Sequence, residues 1–133
     1  MTGEFNLDVL LKSLKAELVG GVYVFATLAN DAVPPGLTPR MMFREAEGTT
    51  LILEQAQADA AGIDYAFPCR MITLDVHSSL EAVGFIARIA TELAKAGMGV
   101  NPVAGFYHDH LFVPDGREQD ALEILAKLAA QSN

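Results

Sequence analysis

Between Arg70 and Pro114 the chain reads RMITLDVHSSLEAVGFIARIATELAKAGMGVNPVAGFYHDHLFVP, and its signals fix the order strand, helix, hairpin. Over residues 70–76, Met71, Thr73 and Asp75 alternate with Ile72, Leu74 and Val76, the period of a strand with one apolar face. Ser78 and Glu81 have capping-box spacing and predict a helix over residues 80–96. Its core side is Val83, Ile86, Ile89, Ala90 and Leu93; Arg88, Glu92 and Lys95 lie opposite, and Gly97 and Gly99 end it. Residues 99–107 form a strand candidate in which Gly105 marks a bulge or a close backbone approach. A turn is expected at His108-Asp109, with a returning strand over residues 110–113. After Pro114, Asp115 and Glu118 repeat the capping pattern for a last helix with Ala121, Leu122, Leu125, Leu128 and Ala129 on its core face.

The first half carries similar signals in a thinner form. Leu7, Leu10, Leu11, Leu14 and Leu18 recur at helical spacing, with Asn6 as N-cap and Gly20-Gly21 as the stop. Residues 22–28 (VYVFATL) read as a buried strand. Residues 30–39 hold Pro34, Pro35 and Pro39, which remove donors and fix φ, so a surface loop is expected there. Two strands, 41–46 and 49–53, meet at Glu47-Gly48; a short helix over residues 55–61 ends at Gly62, and residues 63–68 form an extended connector.

Laying residues 42–58 on 102–118, a shift of sixty, superposes strand, turn, strand and helix start. Leu51-Ile52-Leu53 then coincides with Leu111-Phe112-Val113. The chain thus reads as two strand–crossover–hairpin–helix units, the first having lost its crossover helix. That order is the split β-α-β, ferredoxin-like arrangement: an α+β tandem repeat with an antiparallel-rich sheet and helices packed on one face. The expected division is residues 1–68 as a degenerate N-terminal unit and 69–133 as the C-terminal unit, packed as one compact domain. Each unit wants a final strand. Residues 63–69 can serve the first, whereas the second ends in a helix, and that gap suggests two chains completing each other at strand edges.

Composition narrows the function. At 51% hydrophobic and 20% charged residues the chain has a globular composition, and no apolar run approaches the roughly 20 residues of a membrane span. The net charge of −8, with Lys and Arg scattered, argues against a nucleic-acid partner. The single cysteine, Cys69, cannot form an internal disulfide, and the first residues do not resemble a secretory signal. A cytoplasmic protein with no membrane partner is expected.

Residues 76–114 resemble the ACT-domain pattern of strand, short loop, glycine in the first helical turn, helix, Ala-Gly, an Asn-containing strand, and a hairpin with Asp near its tip. The resemblance is good over residues 70–128 and weaker before. With its FPCR link and YHDHLFVP hairpin, the whole chain is similar to small bacterial proteins with paired ACT-like units, and to the paired regulatory units of aspartokinases. It implies a non-catalytic regulatory module that binds a small molecule, an amino acid above all, needs no cofactor, and works as a homodimer. It places the ligand at His77, Ser78, Ser79, Leu80, Val83 and Gly84, closed by Met98, Gly99 and Asn101 and by His108 and Asp109 at the hairpin. The family's Asp-x-x-Gly loop is replaced by the longer run from His77 to Glu81.

Physical chemistry supports such a site separately. A helix amino terminus presents unpaired N–H groups and the positive end of the dipole, which suits a carboxylate. Glycine inside a helix costs roughly 1 kcal/mol, so Gly84 implies a close approach of ligand or backbone. Asp109 can hold an ammonium group by a charge-assisted hydrogen bond. Packing and capping are the plainer roles for Gly84 and Ser78.

Two other functions use the same residues. His108 and His110, at i and i+2, would face one way on a strand as metal-binding pairs do, which gives a metal-dependent enzyme built on the His-Asp-His hairpin. The plainer role is one exposed histidine and one satisfied by a carboxylate. The other alternative is a ligand-free protein-interaction module. Cys69 has the apolar setting of an inert thiol, and no serine elbow or phosphate loop occurs.

Overall fold

The computed structural model describes residues 3–4, 6–78 and 80–131. Its first half contains α1 (Leu7–Lys12), β1 (Ala16–Leu18), β2 (Tyr23–Leu28), β3 (Met41–Arg44), β4 (Thr49–Glu54) and α2 (Gln55–Ala61). Then come β5 (Ala66–Leu74), α3 (Phe85–Lys95), β6 (Asn101–Ala104), β7 (Asp109–Pro114) and α4 (Glu118–Gln131). They form two compact units. One is continuous, Gly21–Cys69; the other is split, Met1–Gly20 with Arg70–Asn133. The first twenty residues thus group with the second half of the chain, and β5 gives its first residues to one unit and its last to the other.

In the continuous unit the strand order is β5-β2-β4-β3. β2 pairs antiparallel with β4 from Tyr23↔Glu54 to Leu28↔Thr49, and β3 with β4 from Met41↔Ile52 to Arg44↔Thr49. Ala66–Cys69 provides the final strand expected from this stretch. Its pairing with β2 shifts between Tyr23↔Cys69 and Phe25↔Ala66, a bulge in which Phe67 takes φ 57°. α2 runs as the sequence predicts, with Gly62 at φ 67° ending it. No helix follows β2. Residues 29–40 take that place, and Val33 and Leu37 pack from this loop against Val24, Ala26, Leu51, Leu53 and Ala58. Gln57 holds the loop by accepting from the Thr38 N–H at 2.9 Å.

In the split unit the order is β1-β5-β7-β6. The β6–β7 register, Asn101↔Phe112 to Ala104↔Asp109, repeats that of β3–β4 sixty residues earlier. The hairpin loops match too: the Gly105 N–H donates to the His108 carbonyl and the Glu45 N–H to the Gly48 carbonyl, both at 2.9 Å. Leu10 and Leu11 of α1, Ile72 and Leu74 of β5, Phe85, Ile89 and Leu93 of α3, and Ala121, Leu125 and Leu128 of α4 share one core, each at most 3% exposed.

Four expectations are corrected here. The amino-terminal helix stops at Lys12, where Ser13 caps it and donates its hydroxyl to the Val9 carbonyl at 2.6 Å. Leu18 lies instead in β1, which pairs with β5 at Ala16↔Leu74, Glu17↔Thr73 and Leu18↔Ile72. β1 is therefore the final strand that the second unit was expected to lack. It comes from the same chain, which removes the strand-edge reason for a second copy. The third helix begins at Phe85 and not near Leu80, because Ser78 spends its hydroxyl on Asp109 and not on a helix end. The second hairpin turns over residues 105–108, so Asp109 is already in β7.

Candidate functional site

β5 delivers the chain to a tight loop in which the Ser78 N–H donates to the Val76 carbonyl at 3.0 Å. Glu4 pins this loop from the amino-terminal segment, its N–H donating to the His77 carbonyl at 2.7 Å. Ser78 is thereby buried, and its hydroxyl donates to Asp109 Oδ2 at 3.0 Å. Asp109 is 9% exposed, and among the described residues no cation pairs with it. A carboxylate so placed is costly unless a positive group arrives to meet it.

Opposite stands the start of α3. Gly84 occupies the N-cap position at φ 90°, and no side chain caps the helix. The first N–H groups of a helix have no partners within it, and they carry the positive end of its dipole. Phe85, Ile86 and Ala87, which bear those groups, line the same cavity of about 210 Å³ as Ser78, Leu80, Ala82, Gly84, Ala104 and Asp109. A buried negative charge and an uncapped helix start therefore face one small, mostly apolar space. A zwitterion has the matching pair of charges.

Of the residues singled out in the sequence, Ser78, Leu80, Gly84 and Asp109 line this cavity. Ser79 lies outside the described residues. Val83 is 83% exposed and Met98 is packed in the core of the split unit. Gly99 and Asn101 are exposed at the approach to β6 and on its first residue. The His77 ring packs against Tyr107 with centroids 5.5 Å apart, and its buried Nε2 has no hydrogen-bond partner among the described residues. His108 sits 3.6 Å from Asp75, an ion pair when the imidazole is protonated, and His110 Nδ1 lies 3.0 Å from Thr73 Oγ1. The two histidine rings are 6.4 Å apart, each engaged with a different side chain, and no three His, Cys, Asp or Glu side chains converge on a metal position among the described residues. Sequence reasoning missed Ala82, Phe85, Ile86, Ala87 and Ala104. Placing the helix start at Gly84 would have found three of them.

An ACT-domain model matches residues 2–70 and a second matches residues 66–127. The chain belongs to the ACT domain family. ACT domains are regulatory, small-molecule-binding modules of ferredoxin-like α+β fold, here in tandem. Among solved structures, a Vibrio cholerae protein of unknown function, described as a possible transport protein, is 43% identical, with a TM-score of 0.82 over 92% of this chain and 95% of its own. An Agrobacterium tumefaciens protein is 17% identical, TM-score 0.74, covering 87% and 89% of the two chains. The ligand-free regulatory subunit of aspartate kinase from Thermus thermophilus is 9% identical, TM-score 0.66, covering 87% and 96%, and shares the fold. Nothing among curated proteins matches. No helix of the described residues is long and apolar enough to cross a membrane.

Proposed function

We propose that this ACT protein is a non-catalytic cytoplasmic sensor of an α-amino acid, bound in the cavity between the 78–84 loop, the start of α3 and Asp109. The observation that carries this reading is the buried Asp109 carboxylate sharing a small cavity with the uncapped first turn of α3. The α-ammonium group meets Asp109, the α-carboxylate meets the N–H groups of residues 85–87, and the side chain lies against Leu80, Ala82 and Ala104. The protein works as a homodimer, as ACT domains often do, and exposed Leu80 and Val83 beside the cavity give a second copy an apolar surface to cover.

A thermal-shift screen of the common amino acids tests this. A ligand at a hundred times its Kd stabilises by about 2.7 kcal/mol, which raises Tm by several degrees. The expected result is a rise for one or a few amino acids, absent for their des-amino analogues and lost in Asp109→Asn. No shift at millimolar concentrations, or an equal shift by the des-amino acids, rules the reading out.

A further inference from the structure

The continuous unit holds a second cavity, of about 510 Å³, lined by Asn30, Val33, Met42, Arg44 and Thr49. We propose that it is a separate site for a small organic monocarboxylate with an apolar body, anchored by Arg44. It occupies the same place in its unit as the first cavity does in the split unit. Arg44↔Thr49 is the last rung of the β3–β4 hairpin, and Ala104↔Asp109, sixty residues on, is the last rung of β6–β7. In each case a side chain from the loop after the unit's first strand is bonded to the second member of the rung. Ser78 donates to Asp109, and Thr49 donates to Asn30 Oδ1 at 2.8 Å.

The space exists because the crossover helix does not. Met42 and Arg44 share one face of β3, and Met42 is paired with Leu51, whose side chain packs with Val33 on the face that α3 covers in the other unit. The 29–40 loop covers that face with Val33 and Leu37 in place of a helix. The chemistry of the rung is inverted as well: where the first cavity has alanine and a carboxylate, this one has a guanidinium and a hydroxyl. Among the described residues no hydrogen bond or ion pair holds the Arg44 side chain. Its planar fork matches a carboxylate in two parallel bonds. Asn30 Nδ2 donates one of its two N–H groups to the Glu45 carbonyl at 3.0 Å, which fixes the amide beside Thr49 and leaves the second N–H for a ligand oxygen. No acidic side chain lines the cavity, so nothing there holds an ammonium group. Val33 and Met42 supply the apolar walls.

The test is a titration of the isotope-labelled protein followed by NMR, with isovalerate as probe, and isovaleramide and inorganic phosphate as separate arms. The expected result is saturable movement of the Arg44 Nε–H, the Asn30 side-chain amide and the Thr49 N–H with isovalerate alone. Ser78 and Asp109 signals stay in place, and Asp109→Asn leaves the titration unchanged. Arg44→Gln, an exposed position whose substitution keeps the rest of the spectrum, weakens binding at least about tenfold, the loss of a charge-assisted pair of hydrogen bonds. Movement confined to other residues, equal movement with isovaleramide or phosphate, or undiminished binding by Arg44→Gln overturns the assignment. The amino-acid reading of the first cavity survives any of these results.

Discussion

Asp109 and Gly84 both line the first cavity, and they do different things for it. Asp109 sets its charge, whereas Gly84 sets where the helix begins. At φ 90° Gly84 lies in the left-handed region, and a Cβ there would meet only Leu7 Cδ2, at 3.6 Å, an ordinary contact. The cost of Gly84→Ala is therefore the backbone alone, about 1–2 kcal/mol. Urea unfolding should show a lower midpoint with an unchanged slope. A normal midpoint would mean that the 78–84 loop adapts and that the helix start is not fixed by this residue. Gly84 could be picked out of the sequence because glycine is out of place inside an expected apolar helix, and Asp109 because the family resemblance puts an aspartate near the hairpin tip. Ala82, Ala87 and Ala104 could not, because a methyl group carries no chemical signal. Met98 has the apolar character of a pocket wall and of a core residue alike; only the fold assigns it to the core.

At the scale of elements, the sequence misleads where two structures can use the same pattern. Leu14 and Leu18 extend the helical spacing of Leu7, Leu10 and Leu11, yet the open edge of β5 draws residues 16–18 into a strand. A three-residue strand has too short a period to announce itself. Ser78 and Glu81 have capping spacing, but Asp109 competes for the serine from a strand thirty-one residues away in sequence. The start of α4 is firmer. There the Glu118 carboxyl accepts from the Gly116 N–H at 2.7 Å and meets Arg70 of β5 at 3.0 Å. Backbone N–H groups, its own first and then that of Gly116, together with the Arg70 guanidinium hold its pKa below the ordinary 4.5, with burial opposing them. A lowered folded-state pKa gives stability that is fully present above pH 4.5 and is lost as pH falls through the folded value. Glu118→Gln should thus cost up to about 1 kcal/mol at neutral pH, the upper range for a partly exposed pair. The difference in Tm from the parent should shrink as pH falls below 4.5. A difference that stays constant over that fall would show that the charge of Glu118 contributes nothing.

At the scale of the whole molecule, the duplication was visible because hairpin register and buried triads repeat without gaps over residues 42–58 and 102–118. What could not be seen is which strand completes the second unit. The 4-1-3-2 order of a ferredoxin-like sheet is satisfied twice, once by β5 for the continuous unit and once by β1 for the split one. The amino-terminal segment is thus, in structural terms, the last piece of the second unit, written first. Moving it to the end of the chain should preserve the fold. A permutant that starts at Gly21, runs to the final residue and continues through a flexible linker of about ten residues into residues 1–20 keeps every strand pairing. The same chain without the appended segment loses Leu10, Leu11 and Leu14 from the core of the split unit, along with all three rungs on β5. Burial of each such leucine is worth about 2–5 kcal/mol, so the truncated chain falls below the stability of a typical domain. Circular dichroism and thermal unfolding distinguish the two: a cooperative transition within a few degrees of the parent for the permutant, and a lost or broadened one for the truncation. A truncated chain that melts like the parent would mean that β1 and α1 are accessories to the split unit.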